Sequence, residues 1–115
     1  MAFTNLEIAE HALTLEKHFW SRRRPPLHLR DKVREGQRFK DQSIELFYLR
    51  PAFQRPGESE NSIAKIRYIR SGDRWRIFWK RANGNWYAYP LKPEVKTLAA
   101  ALRVIDEDAA HCFFG

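Results

Sequence analysis

A single cysteine in 115 residues cannot close an internal disulfide, so a small secreted scaffold held by bridges is excluded. No apolar run approaches the ~18 residues of a membrane span. The first twenty residues lack the basic, apolar and small-residue layout of a secretory signal, so the cytoplasm is the expected compartment. No GxGxxG and no Walker glycine–lysine pattern occurs, and no Cys/His group has zinc-finger spacing, so neither a nucleotide cradle nor a metal or other cofactor is expected. Repeats and low-complexity tracts are also missing, and residues 1–115 are expected to form a single domain. Acidic residues are scarce beside basic ones, 14 against 21, for a net charge of +7. Aromatic residues are plentiful at 14 %, enough ring area for a compact core.

The charge is partitioned. Between Arg22 and Arg81 stand 17 Lys and Arg against 7 Asp and Glu, a balance of +10, while the two flanks together hold −3. Such asymmetry marks either a nucleic-acid surface or acidic helices neutralising a basic sheet.

Residues 4–22 carry the 3.6-residue period of a helix, opened by Thr4 and Glu7 at capping-box spacing. Leu6, Ile8, Ala9, Ala12, Leu13, Leu15, Phe19 and Trp20 fill one wide arc, expected to be buried. Glu16 falls inside that arc, which predicts a buried carboxylate with Arg22–Arg24 or Arg30 as partner. Pro25 and Pro26 end the helix and set Arg22, Arg23 and Arg24 on a stiff corner. These arginines either suit the helix dipole or bind phosphate.

From residue 32 to 91 the period changes to two. Strands are expected at 32–40, with a bulge at Gly36, and at 43–50, 63–70, 74–80 and 86–89. Residues 51–62, with Pro51, Pro56 and Gly57, read as a long mobile loop. Ser71-Gly72-Asp73 and Asn83-Gly84 mark tight turns, and Pro90 and Pro93 are expected to close the sheet. Alternation turns Trp75, Ile77 and Trp79 to the core, and Arg74, Arg76, Phe78 and Lys80 to water.

Residues 97–111 are expected to form a second helix capped by Thr97, with Leu98, Ala101, Leu102, Ile105, Ala109 and Cys112 on one stripe. That stripe predicts a buried, inert Cys112 thiol. Asp106, Glu107 and Asp108 oppose the helix dipole, and the basic sheet is their expected counter-charge. Phe113 and Phe114 dock on the domain or on a partner chain.

The expected fold is therefore α+β. An N-terminal helix, an antiparallel meander of four to five strands and a C-terminal helix follow in order, both helices on one sheet face.

Chemistry-bearing spacings are sparse. Glu7, His11 and His18 share a helix face, but the third lies too far along the axis for one metal. Glu94-Val95-Lys96 resembles a restriction-nuclease fragment, but it sits in a Pro-flanked loop rather than on a strand. The lead expectation is a non-enzymatic binding module with nucleic acid as partner and no membrane. Its contacts are Arg22, Arg23, Arg24, Lys65, Arg67, Arg74, Arg76, Phe78, Lys80 and Arg81. The alternatives are a protein-interaction or homodimer module using Phe113 and Phe114, and a small nucleic-acid hydrolase built on Glu16, His28 and nearby arginines.

Several ordered blocks carry a resemblance: Arg22-Arg23-Arg24-Pro25-Pro26 with His28-Leu29-Arg30-Asp31, Ile44–Phe47 with Leu49-Arg50-Pro51, Trp75–Ala82 with Trp86–Tyr89, Glu94–Leu98, and Cys112–Gly115. Together they resemble the bacterial family catalogued as domain of unknown function 3024. The resemblance implies a small stand-alone bacterial protein and brings no catalytic residues with it.

Overall fold

The computed structural model describes residues 2–52 and 56–114. Helix α1 (Asn5–Leu15) opens on the expected capping box: Glu7 N–H donates to Thr4 Oγ1 at 3.1 Å, and Thr4 N–H donates to Glu7 Oε1 at 2.9 Å. The chain then passes through a π-helical turn (Glu16–Trp20) into a short last turn, α2 (Ser21–Arg23). A π turn holds one residue more than an α turn, so the side chains beyond it lag the α-helical count. That lag carries Trp20 into the core, where its indole N–H donates to Gln37 Oε1 at 2.9 Å.

The buried arc of the helix is narrower than its composition predicts. Ile8, Leu15 and Phe19 pack inward, whereas Leu6 and Leu13 are exposed at 69 % and 73 %. Glu16 lies outside this narrower arc and is exposed, which corrects the buried carboxylate expected there.

Six antiparallel strands follow: β1 (Arg34–Lys40), β2 (Ser43–Pro51), β3 (Glu58–Ile69), β4 (Arg74–Lys80), β5 (Trp86–Ala88) and β6 (Glu94–Val95). The first five are paired in sequence order, and β6 joins the free edge of β4 beside β5. Pro90 and Pro93 therefore do not close the sheet. They leave room for a two-residue strand in which Val95 faces Trp75 and Glu94 faces Arg76.

The connection after β2 is shorter than expected, because Glu58–Ser62 pairs with Phe47–Pro51. This stretch has few apolar residues and is held by ladder bonds and cross-strand ion pairs. The remainder of that expected loop, 53–55, lies outside the described residues. The bulge falls between Leu46 and Phe47 on the β2–β3 ladder, not at Gly36, which pairs in register with Phe47.

The core lies on one face of the sheet. Ile44, Leu46, Ala64, Ile66, Trp75 and Ile77 meet Leu15, Phe19 and Trp20 from the first helical segment and Leu98, Ala101, Leu102 and Ile105 from helix α3 (Leu98–Glu107). Trp75 and Ile77 are buried as the alternation requires, and Trp79 packs half-buried at the margin.

Helix α3 is capped by Thr97 as expected, Ala100 N–H donating to its hydroxyl at 3.1 Å. It ends four residues earlier than its apolar stripe suggests. Asp108 adopts the left-handed conformation (φ 45°) and turns the chain back. Cys112 consequently lies beyond the helix, half-buried, with burial raising its thiol pKa. Phe113 is buried against Tyr89 at 4.8 Å, and Phe114 stacks on Phe19 at 6.3 Å.

Candidate nucleic-acid interface

Because both helices cover one sheet face, the other is open, and residues opposite one another across its ladders share it. Register places Lys65 against Phe78 and Arg67 against Arg76. Phe78 in turn faces Ala88, and Lys80 faces Trp86. Lys65, Arg67, Arg74, Arg76, Phe78 and Lys80 thus gather on one surface with Trp86.

The carboxylates divide this surface into two unlike halves. Toward β1, the arginines are matched: Arg34 Nε donates to Glu58 at 3.0 Å, and Arg38 pairs with Glu60 and lies 3.6 Å from Glu45. Arg38 also lies over the Phe47 ring, 4.8 Å from its centroid. Toward β4, Glu94 accepts from both Arg74 and Arg76 at 3.2 Å. One carboxylate thereby relieves the repulsion that Arg76 and Arg67 exert on each other as a directly opposed pair.

Lys65, Arg67, Lys80 and Arg81 engage no carboxylate among the described residues. Instead Lys80 and Lys65 Nζ lie 5.5 and 6.0 Å from the Trp86 ring centroid, while Arg81 turns to the other face, over Tyr87 at 4.8 Å and Trp79 at 5.6 Å. Two clefts flank this cationic strip. One of about 180 Å³ is lined by Asp41, Gln42, Ser43, Lys65 and Arg67; the other, of about 410 Å³, includes Glu60, Asn61, Ser62, Lys80, Arg81 and Gly84.

The remaining residues singled out from the sequence lie elsewhere. Arg23 donates to the Asp106 carboxylate at 2.7 Å, and Arg22 lies 3.6 Å from it. These arginines offset the acidic end of α3, a task expected of the sheet. Arg23 also covers the Phe114 ring at 3.9 Å. Arg24 is shared between Glu16 and Glu35. Arg22 and Arg23 therefore share Asp106 while Arg24 turns to Glu16 and Glu35, and the three leave no common corner free for phosphate.

Glu16 and Arg30 do not pair with each other, and neither is buried. Glu16 pairs with Arg24, and Arg30 Nη1 lies 3.0 Å from Glu35 Oε1, without hydrogen-bond alignment. The four groups line a polar cleft of about 280 Å³ beside the β1 edge. Hydrogen bonding to Arg24 holds the Glu16 carboxyl below its ordinary pKa, which makes it a poor proton donor near neutrality. His28 does not line this cleft. Phe113 and Phe114, considered as partner contacts, pack within their own chain. Glu94, expected in a loop, sits on β6 and is held by two arginines.

Glu7 and His11 are also committed within the fold. Arg70 donates to Glu7 at 2.8 and 3.0 Å, and His11 is wedged edge-on between Phe3 and Trp75, 5.0 and 5.1 Å away. Burial lowers the His11 pKa from 6.5 despite the attraction of Glu7 and Glu10. The unfolded chain then takes up this proton first. The stability from neutral His11 is full above pH 6.5 and is lost as pH falls through and below that value. The hydrogen bonds from Arg70 and from the Thr4 N–H lower the Glu7 carboxyl from 4.5 to about 2. Its contribution is present above 4.5 and disappears between 4.5 and about 2. Urea midpoints are expected to fall in two stages on acidification, and His11→Leu is expected to remove only the upper one. Equal wild-type midpoints at pH 7 and pH 5 would contradict this.

Trp86 was not among the contacts chosen from the sequence. The alternation of Trp86 and Ala88 with Tyr87 and Tyr89, combined with the Asn83-Gly84 turn, would have placed it opposite Lys80.

The fold and this surface define a small α+β protein with an open, half-compensated basic sheet. The chain belongs to the family described as Domain of unknown function (DUF3024), whose model matches residues 3–115. Neither a curated protein nor a solved structure matches it. Among the described residues, no helix is long and apolar enough to cross a membrane.

Proposed function

We propose that the protein is a nucleic-acid-binding module that uses the β3–β5 half of its open sheet face. The observation that carries this reading is the concentration there of Lys65, Arg67 and Lys80 without carboxylate partners among the described residues, two of them beside the ring of Trp86. Phosphates are the natural counter-charge for such a surface, and binding them releases condensed ions.

Fluorescence anisotropy with labelled DNA and RNA oligonucleotides tests it. Three phosphate contacts give a slope of log affinity against log salt of between about −2 and about −3. Lys65→Ala and Arg67→Ala are each expected to make that slope shallower by about 1, whereas Arg22→Ala, on the helical side, leaves it unchanged. Binding that ignores salt, or no binding at ~50 mM salt, would overturn the reading.

A second reading, self-association, no longer has the Phe113-Phe114 tail to support it. Its remaining support is the exposed pair Leu6 and Leu13, seven residues apart on α1. A single-chain mass at high micromolar concentration would end that reading. The hydrolase alternative finds no support, since Arg24 occupies Glu16 and His28 lies apart.

A further inference from the structure

The geometry points to an extended single strand, not a duplex, as the nucleic acid this face takes, with Trp86 as the base-stacking ring. The inference rests on the nucleic-acid reading above and narrows its ligand.

Along β3 and β4 the open face is built of successive rungs. Arg67 and Arg76 form one, Lys65, Phe78 and Ala88 the next, with Glu45 opposite Lys65 on β2 and 3.6 Å from Arg38, and Lys80 with Trp86 the third. Rungs on one face are two residues apart, about 6.6 Å at about 3.3 Å per residue. That interval is comparable to the separation of successive phosphates in an extended strand. Each rung supplies a cation outside the β1-side ion pairs, so a phosphate backbone running along β3 and β4 meets positive charge at single-nucleotide intervals.

The third rung supplies what phosphates alone do not need. Trp86 is half-buried, and its accessible surface is attended by Lys65 and Lys80 rather than by other rings. Lysine stems are flexible, so a base laid on the indole releases both ammonium groups to the flanking phosphates. The cation–ring contacts are thereby exchanged for a base–ring stack and two phosphate contacts. Phe78, half-buried on the preceding rung, lines the same path. A duplex keeps its bases stacked internally and would gain nothing from either ring. The cleft at Asn61, Ser62 and Lys80 continues the track beyond the third rung, with amide and hydroxyl groups for the sugar–phosphate chain, and its one carboxylate, Glu60, is paired with Arg38.

The test is anisotropy with a labelled twelve-nucleotide single strand and its duplex at equal salt, on wild type, Trp86→Ala and Trp86→Phe. The single strand is expected to bind at least tenfold tighter than the duplex. Trp86→Ala is expected to weaken single-strand binding about tenfold without changing the salt slope, and Trp86→Phe, which keeps a stacking ring, to recover most of it. Quenching of tryptophan emission on titration with unlabelled single strand is expected in the wild type and reduced in Trp86→Phe, and thermal melting checks that each variant folds. Equal affinity for duplex and single strand, or an unaffected Trp86→Ala, overturns this inference. If Lys65→Ala and Arg67→Ala still reduce affinity, the broader nucleic-acid reading survives that outcome. If wild type binds neither form, both fall together.

Discussion

Asp108→Ala is expected to lower the free energy of unfolding by about 3 kcal/mol, read from urea midpoints at neutral pH. Asp108 is 8 % exposed, and its two carboxylate oxygens each accept a backbone N–H, from Phe113 and from Phe114, both at 2.9 Å. Its own N–H donates to Val104 O at 3.2 Å, completing the end of α3. One side chain thus ends a helix and folds the following residues back onto the core. Hydrogen bonds to a charged group contribute about 1.5–3 kcal/mol each, and truncation leaves two donors without their acceptor. The backbone adds to the effect, because φ at residue 108 is 45°, a conformation Asp and Asn tolerate better than Ala.

Two controls separate these causes. Asp108→Asn keeps the backbone tolerance and one acceptor oxygen, so it should retain part of the stability. Asp108→Gly removes the backbone strain but not the loss of acceptors, and should recover only the backbone share of the alanine loss. An alanine variant within 0.5 kcal/mol of wild type would show that Phe113 and Phe114 hold the tail without the carboxylate.

Residue 108 also marks a limit of periodicity. The stripe Leu98, Ala101, Leu102, Ile105 continues in register to Ala109 and Cys112, yet the chain leaves the helix after Glu107. The stop depends on Phe113 reaching Tyr89, a contact 24 residues apart in sequence, which a local pattern does not contain. The π turn at Glu16–Trp20 is similar: it accompanies a bond from Trp20 to Gln37, a partner 17 residues away that the helix's own pattern does not contain. Strand β3 is half legible. Ile63–Ile69 alternates, but Glu58–Ser62 has no apolar face and is stabilised by the β2 ladder with Arg34 and Arg38 across it.

By contrast, the Thr4–Glu7 capping box, the Thr97 cap, the β4 alternation and the order of elements follow from neighbours within four residues or from strict period-two patterning, and they stand as read. For the interface, alternation brought Arg74, Arg76, Phe78 and Lys80 to one side. It could not say which cations keep their counter-ions, because Glu94 reaches Arg74 and Arg76 only once β6 has docked.

Gly36→Ala is expected to destabilise the fold by about 2 kcal/mol, through crowding rather than conformational restriction. A Cβ at this position would stand 2.2 Å from Phe47 Cε2 and within 2.9 Å of two more ring atoms. The Phe47 ring is 7 % exposed, lying on the bare backbone of Gly36 with Arg38 above it. An added methyl forces the ring off this seat, and with it the Arg38 guanidinium. In a Phe47→Ala background the same change meets no ring. It should then be neutral or slightly stabilising, since glycine within a strand is otherwise unfavourable by about 0.5–1 kcal/mol. The two substitutions should therefore be non-additive by at least ~1 kcal/mol. Additivity would mean that the ring relaxes freely and that crowding is not the cause.

The same variant also divides the open face. Gly36, Phe47 and Arg38 belong to the half where Glu45, Glu58 and Glu60 answer the arginines. Gly36→Ala should lower stability while leaving oligonucleotide affinity unchanged at temperatures where it remains folded. Arg67→Ala removes one member of the opposed Arg67–Arg76 pair, so it should weaken binding without loss of stability. If Gly36→Ala weakened binding as much as Arg67→Ala, the interface would have to extend across Arg38. The ion pairs there would then be competing with phosphate rather than excluding it.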